Sequence, residues 1–380
     1  MNKLEDLRNQ INEIDDRIVD LYLKRMDVVK QVAAAKTDTN KAVNDSERED
    51  AIIYRLSKNV PDQLKLYIKE LYKTVFHTSK SYQTAIMNKS SKTAEKIEQI
   101  LNTELPSMPV SAAVACQGVK GANSGAVAKK IFPISDITYF KNFEGVFSAV
   151  EKGLCEFGVL PIENSTAGSV SEVYDLMKKY NFHIVRSARV KIEHCLVSKQ
   201  GADIKSIKKV ISHPQALSQC TEYLKKLGVE IEAVENTAVA AKIVSESDDK
   251  SIGALCSADC AEIYGLKILE NSVQDSVANF TRFICIAKNL EIYKGADRIS
   301  IMMSISHKPG SLNNIIGRFS ALGLNLAKIE SRPIPNSEFE FMFYFDFEGD
   351  VQDVNVRSLI AELENGSDKF VFLGTYKELI

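Results

Sequence analysis

No glycine occurs before Gly118, and the first stretch of chain sets its apolar residues three and four apart, at Leu4, Leu7, Ile11, Ile14, Ile18 and Leu21. A segment with that spacing and no flexible residue reads as one long helix whose apolar stripe packs against other helices. Arg25 takes the next place in the register, and the stripe resumes at Val28, Val32 and Ala35. A Leu at 25 would gain about 2–3 kcal/mol by burial, whereas an unpaired buried guanidinium costs several kcal/mol. Arg25 therefore pairs with a buried Glu, snorkels its head out of the interface, or meets an anionic ligand.

The helical pattern continues to about residue 88. The first helix runs to about Lys36, and a polar stretch, TDTNKAVNDSERED, leads to a second near 46–58. Pro61 marks a break, and a third helix puts Leu64, Ile68, Leu71, Val75, Thr78 and Tyr82 on one stripe. Residues 89–108 are polar and run into Pro106 and Pro109, the pattern of a partly helical linker. From about Val110 short β-rich runs (FGVLPI, KKVISH, SIGALC, RFICIA) alternate with helical ones (SVSEVYDLMKKY, ALSQCTEYLKKLG). Such alternation predicts α/β layers with mainly parallel sheets, here enough for two small lobes. Residues 297–380 then read β-α-β-β-α-β, the ferredoxin-like order.

A chain of 380 residues is thus multidomain. Its 48 basic and 50 acidic residues balance, so the surface exerts no general pull on nucleic acid or an anionic membrane, and any anion site is local. The N-terminus MNKLEDLRNQ has no apolar core of a signal peptide, and no apolar run approaches the roughly 20 residues of a membrane helix. The seven cysteines form no CxxC pair. Cys116, Cys155, Cys195, Cys220 and Cys285 read as small core residues, Cys256 and Cys260 as neighbours on a helix face, and a reducing cytoplasm as the compartment.

Arg25 has company. Arg8 flanks the stripe at Leu7 and Lys36 flanks it at Ala35; Arg48 opens the second helix between Asp45 and Glu49, and Ser79 and Gln83 share a face of the third. Cations converging on a helical interface suit a small molecule with two carboxylates. The segments LRNQINEIDDRIVDLYLKRMDVVKQVAAAK, NDSERE and TSKSYQ resemble the all-helical chorismate mutases. The resemblance implies an all-α domain over 1–88 with Arg8, Arg25, Lys36, Asp45, Arg48, Glu49, Ser79 and Gln83 as its site, in an interlocked dimer where Arg8 serves the other chain. Chorismate to prephenate is a pericyclic step. It needs a held conformer and stabilisation of charge on the ether oxygen, here by Lys36 and Gln83, with arginines on the carboxylates and Glu49 on the ring hydroxyl.

In the middle segment, PIENS places Glu163, Asn164 and Ser165 between a strand and a helix, where α/β folds bind ligands and where a plain N-cap and turn also fits. SHPQALSQC repeats the arrangement with Ser212, His213 and Gln219, and NFTRF puts Thr281, Arg282 and Phe283 at a strand start. With VQDSVANFTRF, these motifs resemble prephenate dehydratase. The resemblance implies a two-lobed, periplasmic-binding-protein-like α/β domain over 109–290, Thr281 as proton donor, and help from Asn164, Ser212 and Gln219. Glu163, Ser165, Arg282 and Phe283 would bind substrate. The family's Gly-Pro-x-Gly-(Ser/Thr)-aromatic-(Ser/Thr) loop is here CQGVKGANS. Gly118, Gly121 and Ser124 match; Val119, Ala122 and Asn123 depart from it.

KPGSLNNIIGRFSALGLNLAKIESRP resembles the ACT domain joined to such dehydratases. That implies an α+β ferredoxin-like regulatory module over 297–380 binding L-phenylalanine through Gly310, Ser311, Leu312, Asn325, Glu330, Ser331, Arg332 and Pro333. Turn chemistry alone also accounts for Gly310. The expectation is a bifunctional enzyme of phenylalanine synthesis, a homodimer or higher homo-oligomer, inhibited by its end product and requiring no metal or organic cofactor. The rival is an aromatic-amino-acid sensor whose altered CQGVKGANS loop has cost it dehydratase chemistry.

Overall fold

A computed structural model describes residues 3–39, 45–87, 90–276, 278–333 and 341–380. Residues 40–44 of the expected polar connection, residues 88 and 89 where the expected helical segment joins the linker, and Val277 of the VQDSVANFTRF motif lie outside them. The chain opens with helices α1 (Lys3–Thr39), α2 (Ser46–Ser57), α3 (Asp62–Ile86) and α4 (Lys92–Leu101). There follow β1 (Ser111–Gln117), α5 (Asn123–Ile131), β2 (Ile134–Phe140), α6 (Phe143–Glu151), β3 (Phe157–Asn164), β4 (Gly168–Ser169), α7 (Ser171–Tyr180) and β5 (His183–Lys191). Next come β6 (Cys195–Ser198), β7 (Lys209–Ser212), α8 (Pro214–Gln219), α9 (Thr221–Leu227), β8 (Glu230–Ala233) and α10 (Thr237–Glu246). After these run β9 (Ile252–Cys256), α11 (Ala258–Ile263), β10 (Lys267–Glu270) and β11 (Phe280–Ala287). The chain ends with β12 (Arg298–Ser304), α12 (Ser311–Ala321), β13 (Leu326–Pro333), β14 (Phe341–Glu348), α13 (Val354–Asn365) and β15 (Phe370–Leu379).

Two compact units result, residues 1–103 with 302–370, and residues 104–301 with 371–380. In the first, α3 packs on α1 and α2 and also on α12 and α13. The α1 stripe expected to be buried is open: Ile11, Ile14 and Ile18 each keep more than half their surface exposed. Val29 and Ala33 are buried instead, and α3 buries Phe76, Ser79 and Gln83 rather than Leu64, Leu71 and Tyr82. Periodicity says which face needs cover; it does not say that the cover comes from the same chain. Within the expected linker, α4 is capped by Ser91 and packed, with Ile97 fully buried and the Thr93 N–H donated to Glu364.

Where α3 meets α12 and α13, Glu362 accepts from Ser81 at 3.0 Å and pairs with Arg318. His77 of α3 bonds Asn314 of α12, but burial above all, and then the cations Lys80 and Arg318, hold its imidazole down at about 4. Between that value and its ordinary one, the unfolded chain takes up a proton that the folded chain refuses, so stability falls as pH drops from about 6.5 toward about 4. The ring is half exposed, so the loss is about 1 kcal/mol at most. Melting this protein across that range shows the drop, and His77→Gln removes it.

The last six elements run β-α-β-β-α-β, as expected. β13 pairs antiparallel with β14, Glu330 opposite Tyr344 and Ser331 opposite Phe343, and Phe319 of α12 stacks on Phe345.

The second unit is built on two sheets. One runs β15-β5-β11-β3-β1-β2 and the other β10-β6-β9-β7-β8. The chain crosses between them at 192–194 and returns at 271–279. Mainly parallel sheets were expected, but both are mixed. β1 lies parallel to β2 and β3, and β7 parallel to β8 and β9. The strands flanking the crossovers, β11 and β6, run antiparallel to their neighbours, because a strand that leaves one sheet for the other needs no helical return. ALSQCTEYLKKLG is two helices, α8 and α9, meeting at Cys220. All seven cysteines are buried and free, and Cys256 closes β9 rather than sharing a helix with Cys260.

Candidate active sites

In the helical unit, Arg25 turns to α3, its guanidinium bonded to the Ser79 hydroxyl and lying 5.9 Å from the centre of the Phe76 ring. Gln83, one turn beyond, donates to the Ser79 carbonyl at 3.4 Å. Arg25, Ser79 and Gln83 thus come together on the polar part of the α1–α3 contact. Lys36 lies three turns along α1, half-buried. Glu49 of α2 pairs with Lys80 of α3 at 3.0 Å. Asp45 caps α2 by accepting from the Arg48 N–H, while Arg8 and Arg48 are exposed. Phe76 and Lys80 belong to this constellation and carried no sequence signal, one being an ordinary core residue and the other an ordinary surface lysine.

In the α/β unit a cavity of about 390 Å³ opens between the two sheets. Its walls include Ser124, Asn164, Gln219, Thr281 and Phe283, together with Asn123, His194, His213, Asn236 and Thr237. A β-bulge helps to shape it. Between Arg282 and Phe283 the β11–β3 register slips by one residue, so Asn164 and Pro161 both reach the cavity although they are three apart. No Lys or Arg is among the lining residues. Carboxylates would instead meet N–H groups at helix starts: α5 and α7 begin at the cavity without a side-chain cap, where the helix dipole favours an anion.

The floor of the cavity is a hydrogen-bonded set. Asn164 Nδ2 donates to Thr281 Oγ1 at 2.9 Å and to Asn279 Oδ1 at 2.8 Å. Asn279 Nδ2 donates to Gln219 Oε1 at 2.9 Å, and Gln219 Nε2 to Thr166 Oγ1 at 2.9 Å. Thr166 Oγ1 donates to Asn164 Oδ1 at 2.6 Å. His194 Nε2 stands 3.0 Å from Gln219 Oε1, and burial lowers the basicity of its ring. Thr166 and His194 went unrecognised in sequence because neither stands in a motif that marks it. Asn279 matches the family motif within VQDSVANFTRF, but the motif gives it no role.

Several expected site residues stand elsewhere. Ser212 is fully buried, and its hydroxyl donates to the Leu255 carbonyl at 2.8 Å, so it braces β7 against β9. Glu163 and Arg282 are cross-strand neighbours paired at 2.8 Å, which neutralises both charges beside the cavity rather than in it. Ser165 clips to the Phe280 N–H and the Ala278 carbonyl. The loop after β1 takes positive φ at Gly118 and Gly121, and a side chain at 121 would strike Cys260 and Tyr264. Gly121 thus lets the loop lie flat, and Ser124 anchors it by donating to the Gln117 carbonyl at 2.7 Å.

Near the start of α12 a cavity of about 330 Å³ is lined by Ser311, Leu312, His307, Lys308, Phe341 and Phe343, among others. Gly310 precedes the helix with φ 84°. Glu330 and Arg332 lie within β13 and not in a loop after it. By register Ser331 and Pro333 share a face with Phe343 and Phe341, whereas Glu330 and Arg332 take the opposite face. The ESRP motif is therefore divided between the two sides of the strand. Asn325 is exposed just before it.

Comparison with known proteins finds a family for each of the two units. A chorismate mutase type II family model matches residues 7–84, and a prephenate dehydratase model matches residues 114–291. Arogenate dehydratase/prephenate dehydratase 2 of Arabidopsis thaliana is 38% identical over 275 residues, 69% of this chain and 72% of its own. The bifunctional chorismate mutase/prephenate dehydratase of Enterobacter agglomerans is 29% identical over 99% of this chain and 96% of its own. The solved prephenate dehydratase of Arthrobacter aurescens, in complex with L-Phe, is 27% identical, with a TM-score of 0.64 over 70% of this chain and 89% of its own. The chain belongs to the family of bifunctional chorismate mutase/prephenate dehydratases, which rearrange chorismate to prephenate and convert prephenate to phenylpyruvate.

Proposed function

We propose that the helical unit does the mutase chemistry with Arg25, Lys36, Glu49, Ser79 and Gln83, and that Arg8 of a second chain completes each site. Arg25 held at Ser79, on a contact that buries polar groups, supports this reading. The open stripe from Leu4 to Leu21 is the surface on which the second chain packs. Arginine and lysine side chains there bind the two carboxylates of chorismate and stabilise charge on the breaking ether oxygen.

In the other cavity Thr281 is the acid of the dehydratase step, and the observation that carries this is its bond with Asn164. Thr281 Oγ1 accepts there, and among the described residues its proton goes to no other side chain or carbonyl. The carboxylate carbon–carbon bond of prephenate breaks, its electron pair enters the ring, and the ring hydroxyl departs with the Thr281 proton as water. Thr281 is reprotonated from solvent, so each turnover consumes one proton. Aromatisation drives the step, which is why a weak acid suffices.

Residues 297–380 act as an ACT module, and L-phenylalanine bound near Gly310, Ser311 and Leu312 lowers dehydratase activity by favouring a less active state. The complex of the Arthrobacter relative with L-Phe supports this reading. Seven free cysteines favour the cytoplasm. The test follows chorismate loss and phenylpyruvate formation on the purified protein. Both proceed, and added L-phenylalanine suppresses the second. Prephenate accumulating without phenylpyruvate would instead make the α/β domain a sensor.

A further inference from the structure

We infer that Asn279, Thr166 and His194 are positioning residues of the dehydratase: Asn279 and Thr166 belong to a one-directional hydrogen-bond ring that leaves the Thr281 proton free for the substrate, and His194 stands beside that ring. The inference rests on Thr281 as the acid. Four side chains close the ring, each donating to the next: Asn164 to Asn279, Asn279 to Gln219, Gln219 to Thr166, and Thr166 back to Asn164. Bonds arranged this way polarise one another.

A ring of three amides and a hydroxyl could run in either direction, since an amide turned over has the same shape with donor and acceptor exchanged. The direction decides the chemistry. Run as observed, Asn164 presents its N–H to Thr281, which accepts and keeps its own proton. Run in reverse, Asn164 would present its carbonyl oxygen, and the Thr281 proton would be held there instead.

One anchor outside the ring fixes the direction, and a histidine on the far side is compatible with it. The backbone N–H groups of Thr166 and Ala167 donate to Asn164 Oδ1 at 3.0 and 2.9 Å. At the far side His194 Nε2, 3.0 Å from Gln219 Oε1, takes the tautomer that gives this oxygen a proton when the ring runs this way. Asn279 is the link between them and is 1% exposed, so no water replaces it from outside. It takes one hydrogen of the Asn164 amide, which leaves the other to Thr281 Oγ1 at 2.9 Å and the Phe280 carbonyl at 3.2 Å, and it gives its own hydrogen across the cleft to Gln219. Sequence offers no hint of this, because the ring members come from residues 164–166, 219 and 279.

Asn279→Asp tests the ring, keeping the shape while removing the donor. An ionised carboxylate at position 279 faces Gln219 Oε1 with a second acceptor, which turns Gln219 over and breaks the ring. Dehydratase kcat then falls about a hundredfold at about pH 8, with KM changed less than threefold. Protonating the new carboxyl restores the donor, so activity relative to wild type recovers toward about pH 5.5. The titratable group sharing its acceptor is His194; of the charges on the neighbouring segments, Glu163 pairs with Arg282, Lys191 pairs with Glu193, and Asp275 accepts from the Glu222 N–H. Thermal melting of the variant against wild type reports folding of the α/β unit. His194→Gln, which keeps a donor, retains more turnover than His194→Phe. An Asn279→Asp loss that is equal at every pH, or turnover like wild type throughout, overturns the ring. Thr281→Val is assayed alongside: if it keeps wild-type turnover, the acid assignment itself is wrong, whatever Asn279 does.

Discussion

Thr281→Ala lowers dehydratase turnover by about a thousandfold and leaves the mutase rate of the same chain unchanged. Of the Thr166 and Thr281 hydroxyls on the cavity floor, the first gives its proton to Asn164 and the second gives its proton to no described side chain or carbonyl. Its neighbours are amides, which hold a proton far too tightly to give it to a leaving hydroxyl, and burial shifts His194 and His213 away from their protonated forms. The cavity walls survive the change, so KM moves little and the loss falls on kcat. Phenylpyruvate formation measured with saturating prephenate decides it. Turnover within a few-fold of wild type would remove Thr281 from the chemistry.

Arg25→Leu abolishes mutase activity, by about a thousandfold or more, while the protein melts no lower than wild type. Both halves of that result matter. If Arg25 were only a structural residue, its half-buried position between Ser79 and Phe76 would make a Leu there harmless or stabilising, and no reaction would notice. As a ligand for a substrate carboxylate it has no apolar substitute. The same reasoning reaches Arg8, exposed on its own chain. Arg8→Ala and Arg25→Leu are each inactive alone, yet mixing the two unfolded proteins and refolding them together restores mutase activity. A dimer with one of each chain has one site holding both arginines, so random pairing recovers roughly a quarter of wild-type activity. No recovery on mixing would mean that each site is built within one chain.

The two sites differ in how far they could be read before the fold was known. In the helical unit the ligands lie on a few long helices, where spacing alone tells which side chains share a face, so Arg25, Ser79 and Gln83 were readable together. What failed there was the cover. The stripe from Leu4 to Leu21 looks buried by its periodicity and is open in the chain, since apolar spacing is satisfied equally by the same chain or by another. In the α/β unit the motifs located Asn164, Gln219 and Thr281 at the cavity, where the fold puts them. They misplaced Ser212, whose hydroxyl is used by the Leu255 carbonyl, and Arg282, whose charge is used by Glu163. A motif marks residues near a site without saying which way each side chain points, and a bulge in β3 and β11 turns neighbours to different sides.

The sequence by itself determined the long helices, the change to alternating strands and helices near Val110, and the residues proposed to carry both reactions. The helices and the change of texture follow from local periodicity, and the residues proposed for the two reactions from motifs that resemble known families. Only the tertiary structure decided the ring that joins residues 164, 166, 219 and 279, the neutralisation of Arg282, and the division of ESRP between two faces of β13. Each depends on the register between strands or on the meeting of two lobes. A hydrogen bond is made or lost within less than an ångström, and spacing along a chain carries no information at that scale across long separations.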